Sequence, residues 1–202
     1  MIEGRTVVPM TLNAHETVFV VFRQATTLAS RILAAPVASP LLTLSNQWQL
    51  RFQAGHGAPE EGRATLGSWS DSPDEGIRYF SGTGTYSTTM SALKSWFSPG
   101  ARLWLDLGKV MNVAQVRVNG KDLGVIWKAP FRVDVTDALK PGANQLQIEV
   151  TNLWVNRLIG DQQPNATHKY SFTTRAFYKA DAPLLSSGLL GPVQMVKITH
   201  NQ

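Results

Sequence analysis

With 202 residues and 22.2 kDa, the chain can bury one substantial core and carry at most a small appended piece. Hydrophobic residues make up 43%, charged residues only 16% and cysteine is absent, which excludes disordered, collagen-like and coiled-coil chains, disulfide frameworks, thiolate metal sites and cysteine nucleophiles. The net charge of +5 would suit nucleic acid, but no two Lys or Arg residues are adjacent, and Arg117, Arg132 and Lys197 alternate along apparent strands, so solvated faces are expected and no nucleic-acid partner.

In chain order, residues 1–5 come first and contain Ile-Glu-Gly-Arg, a protease-cleavage tag, and are set aside. Residues 6–24 read as a β-hairpin, with extended arms at 6–12 and 17–23 around the turn Asn13-Ala14-His15-Glu16. Two strands cannot bury Val18-Phe19-Val20-Val21-Phe22 alone, so this piece needs a partner sheet. That run is also far too short to cross a bilayer, and no basic start with an apolar stretch marks a signal peptide, so no membrane partner is expected. Residues 25–40 read as a linker, with Pro36 and Pro40 breaking any helix begun near Leu28.

From 41 to 202 the period-two signal recurs between turns. The leucines of Leu103-Trp104-Leu105-Asp106-Leu107 share one face, as do the valines of Val116-Arg117-Val118, and Asn119-Gly120 is a strong hairpin turn. Phe131-Arg132-Val133-Asp134-Val135 alternates again, and Leu146, Ile148 and Val150 alternate with Gln147, Glu149 and Thr151. Ser91 to Phe97 offers one or two helical turns at most. The expected fold is all-β: an antiparallel β-sandwich, with the jelly roll as first choice.

The residues offer little for bond cleavage. No carboxylate pair stands at strand spacing, as glycoside hydrolysis would need, and no catalytic residue is assigned. The cluster Asp71, Asp74 and Glu75 reads as a solvated turn, with a structural calcium site as the alternative; otherwise no metal or cofactor is expected. His15-Glu16 lacks the second histidine of a zinc helix, Gly82-Thr83-Gly84 lacks the third glycine of a phosphate loop, and Ser186-Ser187-Gly188 lacks the first glycine of a nucleophile elbow.

Aromatic residues beside planar polar ones suit a sugar, whose C–H face stacks while its hydroxyls bond. Two places combine them: Trp127-Lys128, and the stretch Trp154, Asn156, Arg157 and Asp161 at a strand end, with Tyr178 as a further aromatic. A structural reading stays open beside it, in which tryptophans fill the core and Arg157 with Asp161 forms an ion pair that fixes a loop. Exposure of Trp127, Trp154 and Tyr178 together beside Arg157, or their burial apart, separates the two.

The run Val118-Asn119-Gly120-Lys121-Asp122-Leu123-Gly124-Val125-Ile126-Trp127, continuing through Ala129-Pro130-Phe131, resembles the sugar-binding jelly-roll domain of glycoside hydrolase family 2. The blocks Pro73-Asp74-Glu75-Gly76-Ile77-Arg78-Tyr79-Phe80-Ser81-Gly82-Thr83, Trp154-Val155-Asn156-Arg157-Leu158-Ile159-Gly160-Asp161 and Ser187-Gly188-Leu189-Leu190-Gly191-Pro192-Val193 resemble the C-terminal region of family 106 α-L-rhamnosidases. The resemblance implies a galactose-binding-like β-sandwich from a larger hydrolase, with residues 6–24 as the tail of a preceding domain and the catalytic glutamates in a barrel outside this chain. Its partners would be an oligo- or polysaccharide and that catalytic domain, and a secreted or periplasmic bacterial parent would fit. Three functions follow as expectations: a non-catalytic carbohydrate-binding module, a structural module packing on the barrel, or a small catalytic sandwich acting as hydrolase or lyase.

Overall fold

The computed structural model describes residues 5–31, 35–45 and 48–200; residues 1–4 of the expected tag lie outside them. Among the described residues the strands are β1 (Pro36–Thr43), β2 (Trp48–Phe52), β3 (Glu61–Ala64), β4 (Thr83–Ala92), β5 (Arg102–Asp106), β6 (Lys109–Met111), β7 (Val113–Val118), β8 (Lys121–Ile126), β9 (Arg132–Asp134), β10 (Gly142–Thr151), β11 (Gly188–Gly191) and β12 (Gln194–His200). Two short helices, α1 (Glu75–Arg78) and α2 (Val155–Gly160), interrupt them.

Alternation builds the layers. In β10, Leu146, Ile148 and Val150 are buried while Gln145, Gln147 and Glu149 face outward, and β2, β5 and β7 repeat the pattern. The strands assemble as a six-stranded sheet, β3-β2-β4-β10-β7-β8, a four-stranded sheet, β1-β12-β5-β9, and the small pair β11-β6. Every strand pairing in these sheets is antiparallel. Leu103, Leu105 and Met195 of the smaller sheet join Trp48, Tyr86, Val116 and Ile148 of the larger in one core, giving the expected antiparallel β-sandwich.

Local chemistry sets the registers. Asn119 and Gly120 both take positive φ, 52° and 81°, as a two-residue turn between β7 and β8 requires, and Val118 accordingly pairs with Lys121. Asn119 also ties this turn to the next one: its amide donates to the Ala138 carbonyl and to Asn144 Oδ1, both at 2.8 Å. At the centre of the core, Trp69 Nε1 donates to the Tyr86 hydroxyl at 2.6 Å, and the Leu189 N–H donates to the same oxygen at 3.2 Å. Burial pushes the Tyr86 phenol up to about 12.

Two N-terminal expectations come out differently. The turn between residues 13 and 16 is present, with the Glu16 N–H donating to the Asn13 carbonyl, but its arms form no paired strands. Phe19 is 91% and Phe22 71% exposed, so the missing sheet partner explains the missing pairing. The sandwich itself starts at Pro36, inside the stretch that composition marks as a linker. β1 is an edge strand bonded only to β12, and it carries a bulge between Pro40 and Leu42, a setting in which prolines with no N–H are tolerated.

Candidate functional site

β10 ends at Thr151, and the chain turns through Asn152 and Leu153 into α2 at one end of the six-stranded sheet. Asn152 anchors the turn: its amide donates to the Phe80 carbonyl at 2.8 Å and its oxygen accepts from the Gly82 N–H at 3.0 Å. The Ser81 hydroxyl donates to the Leu153 carbonyl at 2.8 Å and accepts from the Arg157 N–H at 3.3 Å. His56 Nδ1 lies 2.8 Å from the Ser81 carbonyl; a carbonyl can only accept, so that nitrogen carries the proton. The ring of His56 stands 5.9 Å from that of Trp154.

The polar residues of α2 point inward and are occupied. Asn156 clasps the backbone of Leu185 in both directions, donating to its carbonyl at 2.7 Å and accepting from its N–H at 2.9 Å. Arg157, 5% exposed, forms an ion pair with Asp161, 3% exposed, at 2.9 Å between Nε and Oδ1. The Nε–H does not point along that contact, so the pair is held by charge and packing without a linear hydrogen bond. The guanidinium lies between two rings, 4.8 Å from the centre of Tyr170 and 5.9 Å from that of Tyr79. Gly160 makes room for this stack, since a Cβ there would meet Arg157 at 2.4 Å and Tyr79 at 2.6 Å. Asp161 also accepts from the Tyr170 and Ser171 N–H groups and from the Ser171 hydroxyl.

These contacts fasten the long segment between α2 and β11, which has no helix or strand of its own. Asp161 holds it at 170–171, Asn156 at 185, and Gln163 donates to the Ala180 carbonyl at 2.9 Å. The segment in turn presents rings outward: Phe172 is 90% and Phe177 73% exposed. A cavity of about 320 Å³ opens there, walled by Leu158, Lys169, Ser171, Phe172, Phe177 and Tyr178, with Asp161 at its base. A second cavity of about 280 Å³, on the Asn156 side of α2, includes Asn112, Asn152 and Ser187 in its lining.

The residues expected from the sequence are thus partly separated. Asp161 and Tyr178 share the first cavity, while Asn156 and Arg157 lie beneath the surface as fasteners, so the ion-pair reading of Arg157 and Asp161 describes what the structure contains. Trp154 is about half exposed on the His56 side. Trp127 is exposed, and the register puts it at the same end of the sheet but across β7, because Val113 pairs with Thr151 and Ala114 with Ile126. Lys128 sits apart with the N-terminal segment, 3.5 Å from Glu16, whose carboxyl is held low chiefly by hydrogen bonds from Asn13. Lys169, Phe172 and Phe177 escaped sequence reasoning because they lie in a loop without periodicity; only the spacing of rings and cations marks them.

The outer face of the six-stranded sheet is different in kind. Its shallow grooves carry Gln49, Ser87, Gln145 and Gln147, and no aromatic ring from β4, β7 or β10 faces out there. Glu60, Glu61 and Glu149 line one groove, where Glu61 pairs with Arg51 and Glu149 with Arg117. In the Asp71 to Glu75 cluster, Asp74 caps α1 by accepting from the Ile77 N–H at 3.2 Å. Among the described residues no three His, Asp or Glu side chains gather as metal ligands.

Comparison with known proteins gives four findings. Residues 75–181 match the family model described as glycosyl hydrolase 2 galactose-binding domain-like. The solved structure of a rhamnosidase from Novosphingobium sp. PP1Y superposes with a TM-score of 0.83 at 45% identity, over 87% of this chain and 17% of that one. A Formosa agariphila protein named "Putative beta-glucuronidase" is 36% identical over 195 residues, 83% of this chain and 17% of its own length. A Ruminococcus gnavus beta-glucuronidase structure, 19% identical with a TM-score of 0.56 over 81% of this chain, shares the fold. The chain therefore spans about a sixth of the length of the first two proteins.

Proposed function

The chain belongs to the glycosyl hydrolase 2 galactose-binding domain-like family, and from that premise we propose that it is a non-catalytic module of a larger, rhamnosidase-like glycoside hydrolase that holds carbohydrate against the aromatic segment beside α2. One observation carries the reading. The buried Asn156, Arg157 and Asp161 are all spent on fixing a segment whose own rings, Phe172, Phe177 and Tyr178, surround an open cavity with hydroxyls and Lys169 between them. Flat apolar faces with polar groups at their rims match a sugar ring, and anchoring the backbone of the segment at 170–171, 180 and 185 lowers the entropy lost on binding.

Catalysis is assigned elsewhere because the cavity holds a single carboxylate, and Arg157 already neutralises it. Hydrolysis of a glycoside takes two carboxyl groups set across the bond. The experiment is a paired one on the purified chain: release of nitrophenol from aryl α-L-rhamnoside and aryl β-glucuronide, and retardation in gels containing rhamnose-bearing or other plant cell-wall polysaccharides. The proposal expects no release and visible retardation; turnover, or uniform passage through every gel, contradicts it.

A structural role has its own support. Val7, Met10, Leu12, Val18, Phe19 and Phe22 are each more than half exposed, an apolar strip of the kind that packs on a neighbouring domain. On that reading the free chain self-associates, and sedimentation measures it.

A further inference from the structure

We infer that the cavity beside α2 takes an anionic sugar unit, one carrying a carboxylate or a sulfate, with Lys169 as its counter-ion; this rests on the carbohydrate reading above and narrows it. Residues 162–180 contain Lys169, Arg175 and Lys179 and no Asp or Glu, so this segment supplies a charge of +3 within a chain whose total is +5. None of the three cations has an ion-pair partner among the described residues, in contrast to Arg51, Arg102, Arg117, Lys128 and Arg157. Lys169 lines the cavity itself, Arg175 neighbours Ala176 of its wall, and Lys179 follows Tyr178.

The one acid at the cavity is cancelled locally. Asp161 is 3% exposed, pairs with Arg157 and accepts three further hydrogen bonds, so it projects little negative field. What remains is an uncompensated ammonium among rings and hydroxyls. A neutral sugar would use the rings and hydroxyls alone, whereas an anionic one also gains a charge-assisted hydrogen bond in a partly walled site. The alternation of cations and aromatics along Lys169-Tyr170-Ser171-Phe172 and Arg175-Ala176-Phe177-Tyr178-Lys179 extends that preference to several units of a chain. An acidic protein surface would satisfy the charges but not the cavity of about 320 Å³ with ring walls, which has the dimensions of a small-molecule site.

The test is calorimetric titration of the full 202-residue chain with three oligosaccharides of equal length: an oligogalacturonate, a sulfated galactan oligomer and a neutral galactan oligomer. At least one anionic ligand should bind about tenfold more tightly than the neutral one in low salt, with the margin shrinking as salt rises; which one does so separates carboxylate from sulfate. Lys169→Ala should weaken the anionic ligand far more than the neutral one and so remove most of that margin. Phe177→Ala should weaken both. Lys94→Ala makes the same charge change at the opposite end of the sandwich and should change neither. Equal affinity for charged and neutral ligands overturns the anionic preference while leaving the carbohydrate reading intact; absence of binding to all three overturns both. Equal losses in the two lysine variants would show diffuse attraction to a polyanion, and would also overturn the site.

Discussion

Two arginine–carboxylate pairs in this domain have the same chemistry and opposite consequences. Arg157–Asp161 is buried, with side chains 6% and 2% exposed, and fixes the aromatic segment; Arg117–Glu149 lies on the outer face of the six-stranded sheet at 32% and 25% exposure. The buried pair lost its water and depends on mutual neutralisation and on Tyr79, Tyr170 and the Ser171 contacts. The outer pair keeps solvent, a second acid in Asp122 at 3.6 Å, and a hydrogen bond from Gln147 to Glu149 at 2.8 Å. Position relative to the core, more than residue type, therefore decides whether a charged pair in this fold is a fastener or a solvated surface.

The largest effect should come from breaking the buried pair. Asp161→Ala leaves the guanidinium uncompensated and should cost about 3–5 kcal/mol in urea unfolding, whereas a loss below about 1 kcal/mol would place the pair in the same class as the outer one. Next comes the buried phenol. The fold raises the Tyr86 pKa to about 12, so its contribution is complete below pH 10, where the unfolded tyrosine starts to ionise, and is lost as pH climbs to about 12. A fall of about 2–3 kcal/mol over that window, absent in Tyr86→Phe, is expected from denaturant curves. Asn156→Ala removes a two-way backbone clasp on Leu185 and should cost about 1–3 kcal/mol, with faster proteolysis between 162 and 187 as its local sign. Smallest of all, Arg117→Ala should stay within about 1 kcal/mol, and its effect should shrink further in salt.

The sequence made most of this architecture legible, and the exceptions have physical reasons. Strands such as β10 and β7 alternate cleanly because one face meets the core and the other water, and Asn119-Gly120 could serve little but a tight turn. Residues 17–23 carry as much strand character, yet stay unpaired because a strand needs a neighbour as well as a propensity. Pro36 and Pro40 hid β1, since an edge position that excuses a missing N–H is a property of topology. At the site, the cluster of Asn156, Arg157 and Asp161 was visible as a polar group near Trp154, but its direction was not: a short helix after a strand gives no period long enough to tell the inward face from the outward one. Phe172 and Phe177 were invisible for the complementary reason: they lie in a segment without periodicity, whose backbone is tied at 180 and 185 by residues many positions away.

The central claim, that sugar meets the ringed segment and not the wet sheet, is tested most directly by amide chemical-shift changes on titration with an oligosaccharide. The account predicts saturable shifts clustered at residues 169–178 and in α2, with Gln145, Gln147 and Ser87 unmoved. Shifts centred on those sheet residues, with the segment beside α2 silent, would contradict it.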